Sequence, residues 1–182
     1  MDGTFSVAPR TFYQLYIVHG IILGKAFPLV YILLTRKLEL IYTRAFSALA
    51  QNAFNKYAID LRPRFIIADF ELAALNAMRT SFPGVEVRGC HFHFAQSIQR
   101  EVGKLGLKTE YDSRGRFHYS VRLLYALAYV PVGLVEEYYR AAVNCFDGDK
   151  EGELLKYFEA RNTHSCFILI YVLLREYYSY CI

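Results

Sequence analysis

At 182 residues the chain is long enough for one domain with a sizeable core, and too short for a second independent one. An apolar fraction of 54%, with 16 Tyr and 14 Phe, excludes intrinsic disorder, because burying that much surface offsets the ordering entropy. Twenty-one Lys and Arg against 17 Asp and Glu leave a net charge of +4, which permits contact with a polyanion but does not argue for one.

Three segments rich in β-branched and aromatic residues come first: Thr4–Ala8, Phe12–Leu23 and Phe27–Leu34. Pro9, Gly24-Lys25 and Pro28 punctuate them at hairpin-like spacing, which predicts an antiparallel meander of three strands. The second segment is almost continuously apolar, as suits a strand covered on both faces. The period then changes. Thr35 to Asn52 places Leu38, Ile41, Tyr42, Ala45 and Leu49 at steps of three and four, predicting an amphipathic helix with Thr35 available as its N-cap. Arg64–Ala68 reads as a short strand, Phe70–Ser81 as a helix stopped by Pro83-Gly84, Val85–Gly89 as a strand and Phe94–Leu105 as a helix. Strands and helices in alternation imply a parallel portion of sheet. From Tyr111 onward the pattern is helical, over Val121–Tyr129, Val132–Phe146 and Glu151–Ala160, with a turn at Gly148-Asp149. The order is that of a ribonuclease H-like α/β fold with a mixed sheet and an all-helical extension after the fifth strand. It divides into a core at 1–108, a helical insertion at 109–160 and an aromatic tail at 161–182.

The four cysteines, Cys90, Cys145, Cys166 and Cys181, are widely spaced and follow no secretory signal, so a reducing, intracellular setting, nuclear or cytoplasmic, is expected. The longest apolar run, Cys166 to Leu174, falls well short of the roughly 20 residues a spanning helix needs, and no membrane role is expected.

Three groups of residues have chemical potential. Asp2 opens the first strand and Asp69 follows the fourth. If those strands are neighbours, about 4.8 Å apart, the two carboxylates can share divalent cations, which take hard oxygen ligands. Asp69 could equally N-cap a helix beginning at Phe70, and Asp2 could be a frayed terminal residue. Cys90 and His93, three apart, would share a face if a helix has begun, and thiolate with imidazole is half of a tetrahedral zinc site. A buried cysteine beside hydrogen-bonded histidines fits the same spacing. Arg100, Lys104 and Lys108, at steps of four, form a basic stripe suited either to phosphate contacts or to a solvated helix face.

Taken together these residues resemble a known family. Asp2-Gly3-Thr4-Phe5-Ser6-Val7-Ala8-Pro9, Phe12-Tyr13-Gln14-Leu15-Tyr16, Pro28-Leu29-Val30-Tyr31, Ile67-Ala68-Asp69-Phe70-Glu71 and Gly89-Cys90-His91-Phe92-His93-Phe94 are similar, in order, to the Mutator-like element (MULE) transposase domain. The resemblance covers about residues 2–160. It implies a DDE-type, ribonuclease H-like transposase core that nicks DNA at transposon ends and transfers strands using Mg²⁺ or Mn²⁺. Asp2 and Asp69 correspond to the two catalytic, metal-binding aspartates, and Cys90 and His93 to a Cys-x-x-His element near the site. DNA is the implied partner, and a homo-oligomer is allowed. The expected departures are a first strand cut short before Asp2 and a missing third carboxylate, for which Glu153, Glu159 and Glu176 are the nearby candidates. The sequence therefore reads as a transposon-derived domain truncated at both ends and catalytically incomplete.

Overall fold

A computed structural model describes residues 2–4 and 8–162, with 2–4, 132, 161 and 162 described by their backbone only. The chain divides into two compact units with the boundary in sequence between Arg88 and Gly89, inside the expected 1–108 core. Each unit has its own interior.

The first unit is α/β. Strands β1 (Asp2–Thr4), β2 (Gln14–Ile22) and β3 (Lys25–Leu34) form an antiparallel sheet in that order, with Asp2 opposite Ile17 and Gln14 opposite Leu34. The expected first strand, Thr4–Ala8, shares Thr4 with β1, and its residues 5–7 lie outside the described ones. The β2–β3 register shifts between Val18 and His19, leaving Leu29 as an extra residue on β3. Leu29 then folds over Gly20, where a Cβ would stand only 2.6 Å from its Cδ1. Hydrophobic alternation explains the buried face, where Tyr16, Val18 and Leu34 turn inward. Cover on the other face is only partial among the described residues: Leu15 and Ile17 of β2 are half-buried there, whereas Ile21 of β2 and Tyr31 and Leu33 of β3 are 54%, 61% and 42% exposed.

Helix α1 (Glu39–Tyr57) packs onto the buried face through Tyr42 and Phe46, both fully buried. Their rings meet Tyr16 edge-on at 5.4 and 5.9 Å, and Phe82 tilts against Phe46 at 6.1 Å. The helix starts four residues later than Thr35, because Leu38 remains extended and occupies the N-cap without any side-chain bond. A strand-helix-strand unit follows: β4 (Phe65–Ala68), α2 (Leu72–Ser81) and β5 (Glu86–Gly89), in which β4 and β5 pair as a small parallel sheet. The apolar positions Ala74, Leu75, Ala77 and Met78 are the buried face of α2.

The second unit is helical: α3 (His91–Lys104), α4 (Lys108–Asp112), α5 (Arg116–Ala126), α6 (Val135–Val143) and α7 (Asp149–Asn162). Phe94, Ile98 and Val102 line the inner side of α3, and Phe94 meets Phe158 of α7 at 6.1 Å. The expected helix over Val132–Phe146 is shorter, since Pro131 holds Val130 extended and a single 3₁₀ turn precedes α6. Helix α4 was not anticipated, and α5 starts at Arg116 rather than Val121. No helix among the described residues is long and apolar enough to cross a membrane.

Candidate functional site around Asp69

In β4 the residues Ile66 and Ala68 are buried, so the strand delivers Asp69 to its C-terminal end as a half-buried side chain. The next helix begins at Leu72 with Glu71 at its N-cap, not at Phe70. Asp69 is therefore not the cap of α2. Its Oδ1 instead lies 3.4 Å from the Glu71 backbone N–H, in the short Asx arrangement by which aspartate shapes a turn.

Glu71 is the hub of a polar network inside the first unit. Its Oε1 accepts from the Tyr42 phenol at 2.8 Å and its Oε2 from Lys37 Nζ at 2.8 Å. A carboxylate only accepts, so the Tyr42 proton points to Glu71 and the phenol oxygen is left to accept from Gln14 Nε2. Gln14 is fully buried, and its Oε1 finds no partner among the described residues. Burial first, then the bond to Glu71, holds the Tyr42 phenol far above its ordinary pKa, so it remains a donor. The network ties β2, the loop before α1, α1 itself and the loop after β4 to one carboxylate. Residue patterning did not reveal this role of Glu71. The available signal was Gln14, a polar side chain on the inward-facing side of an otherwise apolar strand.

Asp2 lies on β1 and Asp69 beyond β4, and these strands belong to separate hydrogen-bonded sheets. Among the described residues the expected β1–β4 pairing is not formed; the three residues of β1 pair with Ile17, Tyr16 and Leu15 of β2. Asp2 is described by its backbone alone. Among the described residues no three His, Cys, Asp or Glu side chains gather closely enough to hold a metal ion. Asp69 is a hard oxygen donor, but both oxygens of Glu71 already accept from Tyr42 and Lys37. The described donors do not complete a two-ion site.

Cys90 and His93 lie in the second unit. The helix there starts three residues earlier than the sequence pattern predicted, with Cys90 at its N-cap and its carbonyl accepting from Phe94 N–H at 3.0 Å. Both residues are therefore in the first turn, three apart and half-buried.

The basic stripe is broken. Arg100 and Lys104 are on α3, but Gly106, at φ +72°, ends that helix with Gly106 N–H on Gly103 O (3.1 Å) and Leu107 N–H on Val102 O (3.0 Å). This is a Schellman closure, which requires the left-handed residue that glycine supplies. Lys108 consequently starts α4. Lys104 pairs with Glu101 and Lys108 with Asp112, at 2.8 and 2.9 Å.

The MULE transposase domain family model matches residues 1–97, which hold β1 to β5, the Asp69 turn and the start of α3. No curated protein and no solved structure matches the chain. With more than half of its length matched, from Asp2 through the Cys90-x-x-His93 turn, the chain belongs to the MULE transposase domain family.

Proposed function

We propose that the chain is a DNA-associating, transposase-derived domain of ribonuclease H-like architecture, in which Asp2 and Asp69 stand for two of the family's acidic metal ligands, and that by itself it leaves DNA uncut. One observation carries the reading of Asp69. The side chain leaves the C-terminal end of β4, is released from capping α2, and is braced by a turn whose next carboxylate is tied into the core.

The candidates for a third acid support the inert state. Glu159 accepts from the Tyr139 phenol at 2.9 Å and Glu153 is exposed on α7, while the carboxylate two residues from Asp69, Glu71, is committed to Tyr42 and Lys37. Glu176 lies outside the described residues. The implied cation is Mg²⁺ or Mn²⁺, with Asp69 as the described residue suited to meet it.

Incubating supercoiled plasmid with the chain and Mn²⁺ or Mg²⁺, beside Asp69→Ala, tests the proposal. Equal and background nicking by both is the expected result. Nicking by the unmodified chain that Asp69→Ala abolishes would overturn the inert state and identify an active transposase.

A further inference from the structure

The net charge of +4 is concentrated in one part of the chain. Residues 1–88 hold 10 Lys and Arg against 6 Asp and Glu, whereas residues 89–182 hold 11 of each. Within the first unit Lys37 pairs with Glu71, Arg62 with Asp60 and Arg88 with Glu86. Arg10 and Arg36 are exposed and, among the described residues, bonded to no carboxylate.

The topology brings these two arginines to one place. Arg10 sits in the turn that Phe12 N–H closes on Pro9 O at 2.8 Å, just before β2. Arg36 follows the last residue of β3, Leu34, by two positions. Leu34 stands opposite Gln14 and accepts from Tyr13 N–H at 2.8 Å, so both arginines belong to the same end of the hairpin. The Asp69 turn reaches that end too. Lys37, whose Cα is about 3.8 Å from that of Arg36, holds Glu71 at 2.8 Å, and the Glu71 N–H faces Asp69.

We propose that Arg10 and Arg36 form a phosphate-binding rim beside Asp69 that receives the sugar-phosphate backbone of DNA. The inference rests on the transposase reading and deepens it by naming the contact surface. A phosphodiester approaching Asp69 and Glu71 meets like charge, and Lys37 is already used on Glu71. Two exposed guanidinium groups at the same end of the hairpin supply the missing attraction, and their planar forks match phosphate oxygens. The segment holding Arg100, Lys104 and Lys108 lies in the charge-balanced half of the chain, with Lys104 and Lys108 already paired.

The test is fluorescence anisotropy of the full 182-residue chain on a labelled DNA duplex, in EDTA, across a salt series. For the Arg10→Gln/Arg36→Gln pair, the slope of log Kd against log salt should fall by about 1.8, at ~0.9 per phosphate contact. Arg10→Lys/Arg36→Lys should keep the slope, as should Arg140→Gln, whose side chain pairs with Glu136 on α6. An unchanged slope in the Gln pair overturns the rim and leaves the transposase reading standing. Failure of the unmodified chain to bind the duplex removes the DNA reading itself, and the rim with it. Circular dichroism of each variant separates loss of contact from loss of fold, and retention by the Lys pair supports the charge contact.

Discussion

The Tyr42 phenol donates to Oε1 of Glu71 across 2.8 Å, fastening the first turn of the sheet-covering helix to the turn that carries Asp69. The bond is long-range in sequence, part-buried and charge-assisted, the class of hydrogen bond that contributes most. Tyr42 also accepts from Gln14, so one phenol serves two elements.

Removing that oxygen should be costly. Tyr42→Phe takes a donor from a carboxylate and strands the Gln14 amide in the core, a loss of about 2–3 kcal/mol. Adding Gln14→Leu should recover part of it, since an apolar side chain leaves no buried amide without a partner. Urea unfolding of the single and double variants measures both values.

Alkali should loosen the protein through its phenols. Burial is the leading cause that raises Tyr42, Tyr125 and Tyr139 above the ordinary tyrosine value of 10.0, with Glu71 and Glu159 adding to it for Tyr42 and Tyr139. The unfolded chain ionises these groups first, so their contribution is complete below pH 10 and is lost as pH rises through the raised folded values. The thermal midpoint should be level from pH 7 to about pH 9.5 and fall above pH 10. Tyr42→Phe should make that fall shallower.

Glu151 should matter more than its partner. It is buried, accepts from Arg116 at 2.6 and 3.1 Å and from Asp147 N–H at 2.8 Å, and so closes the turn into α7. Glu151→Ala should cost about 2 kcal/mol, because it leaves the Asp147 backbone donor without its acceptor and takes the carboxylate from Arg116. Arg116→Gln should cost less, since half of that side chain is in water and glutamine still donates. Denaturant midpoints of the two variants give the ranking.

Ala58 ends α1 at φ 53°, with its N–H on Phe54 O at 2.9 Å and Ile59 N–H on Ala53 O at 3.2 Å. A left-handed residue with a Cβ is strained. Ala58→Gly should raise stability by about 0.5 kcal/mol after the added freedom of the unfolded chain is set against the relief. Thermal unfolding should show a small upward shift.

Much of the frame was legible because it rests on local periodicity. The β2–β3 hairpin, β4, α2 and β5 follow from alternating or three-to-four apolar spacing and from Pro83-Gly84, and the Mutator-like motifs identified the family. Boundaries were missed where tertiary contacts decided them. Thr35 is a good capping residue by type, but the chain stays extended through Leu38. Asp69 has the right chemistry to cap α2 and is placed two residues too early to do so. The stripe from Arg100 to Lys108 followed helical arithmetic, which stops at Gly106. The Glu71 network joins residues 14, 37, 42 and 71, and no sequence period links positions so far apart.

The central claim, that Asp69 is a metal-facing carboxylate braced by the Glu71 turn and not a structural cap, is tested most directly by Mn²⁺ titration followed by electron paramagnetic resonance. Asp69→Asn keeps the size of the side chain and removes the charge. Weak Mn²⁺ binding by the unmodified chain is expected and Asp69→Asn should abolish it, with the unfolding free energy changed by less than about 0.5 kcal/mol. Unaltered Mn²⁺ binding in Asp69→Asn, or a stability loss with no change in binding, would contradict it.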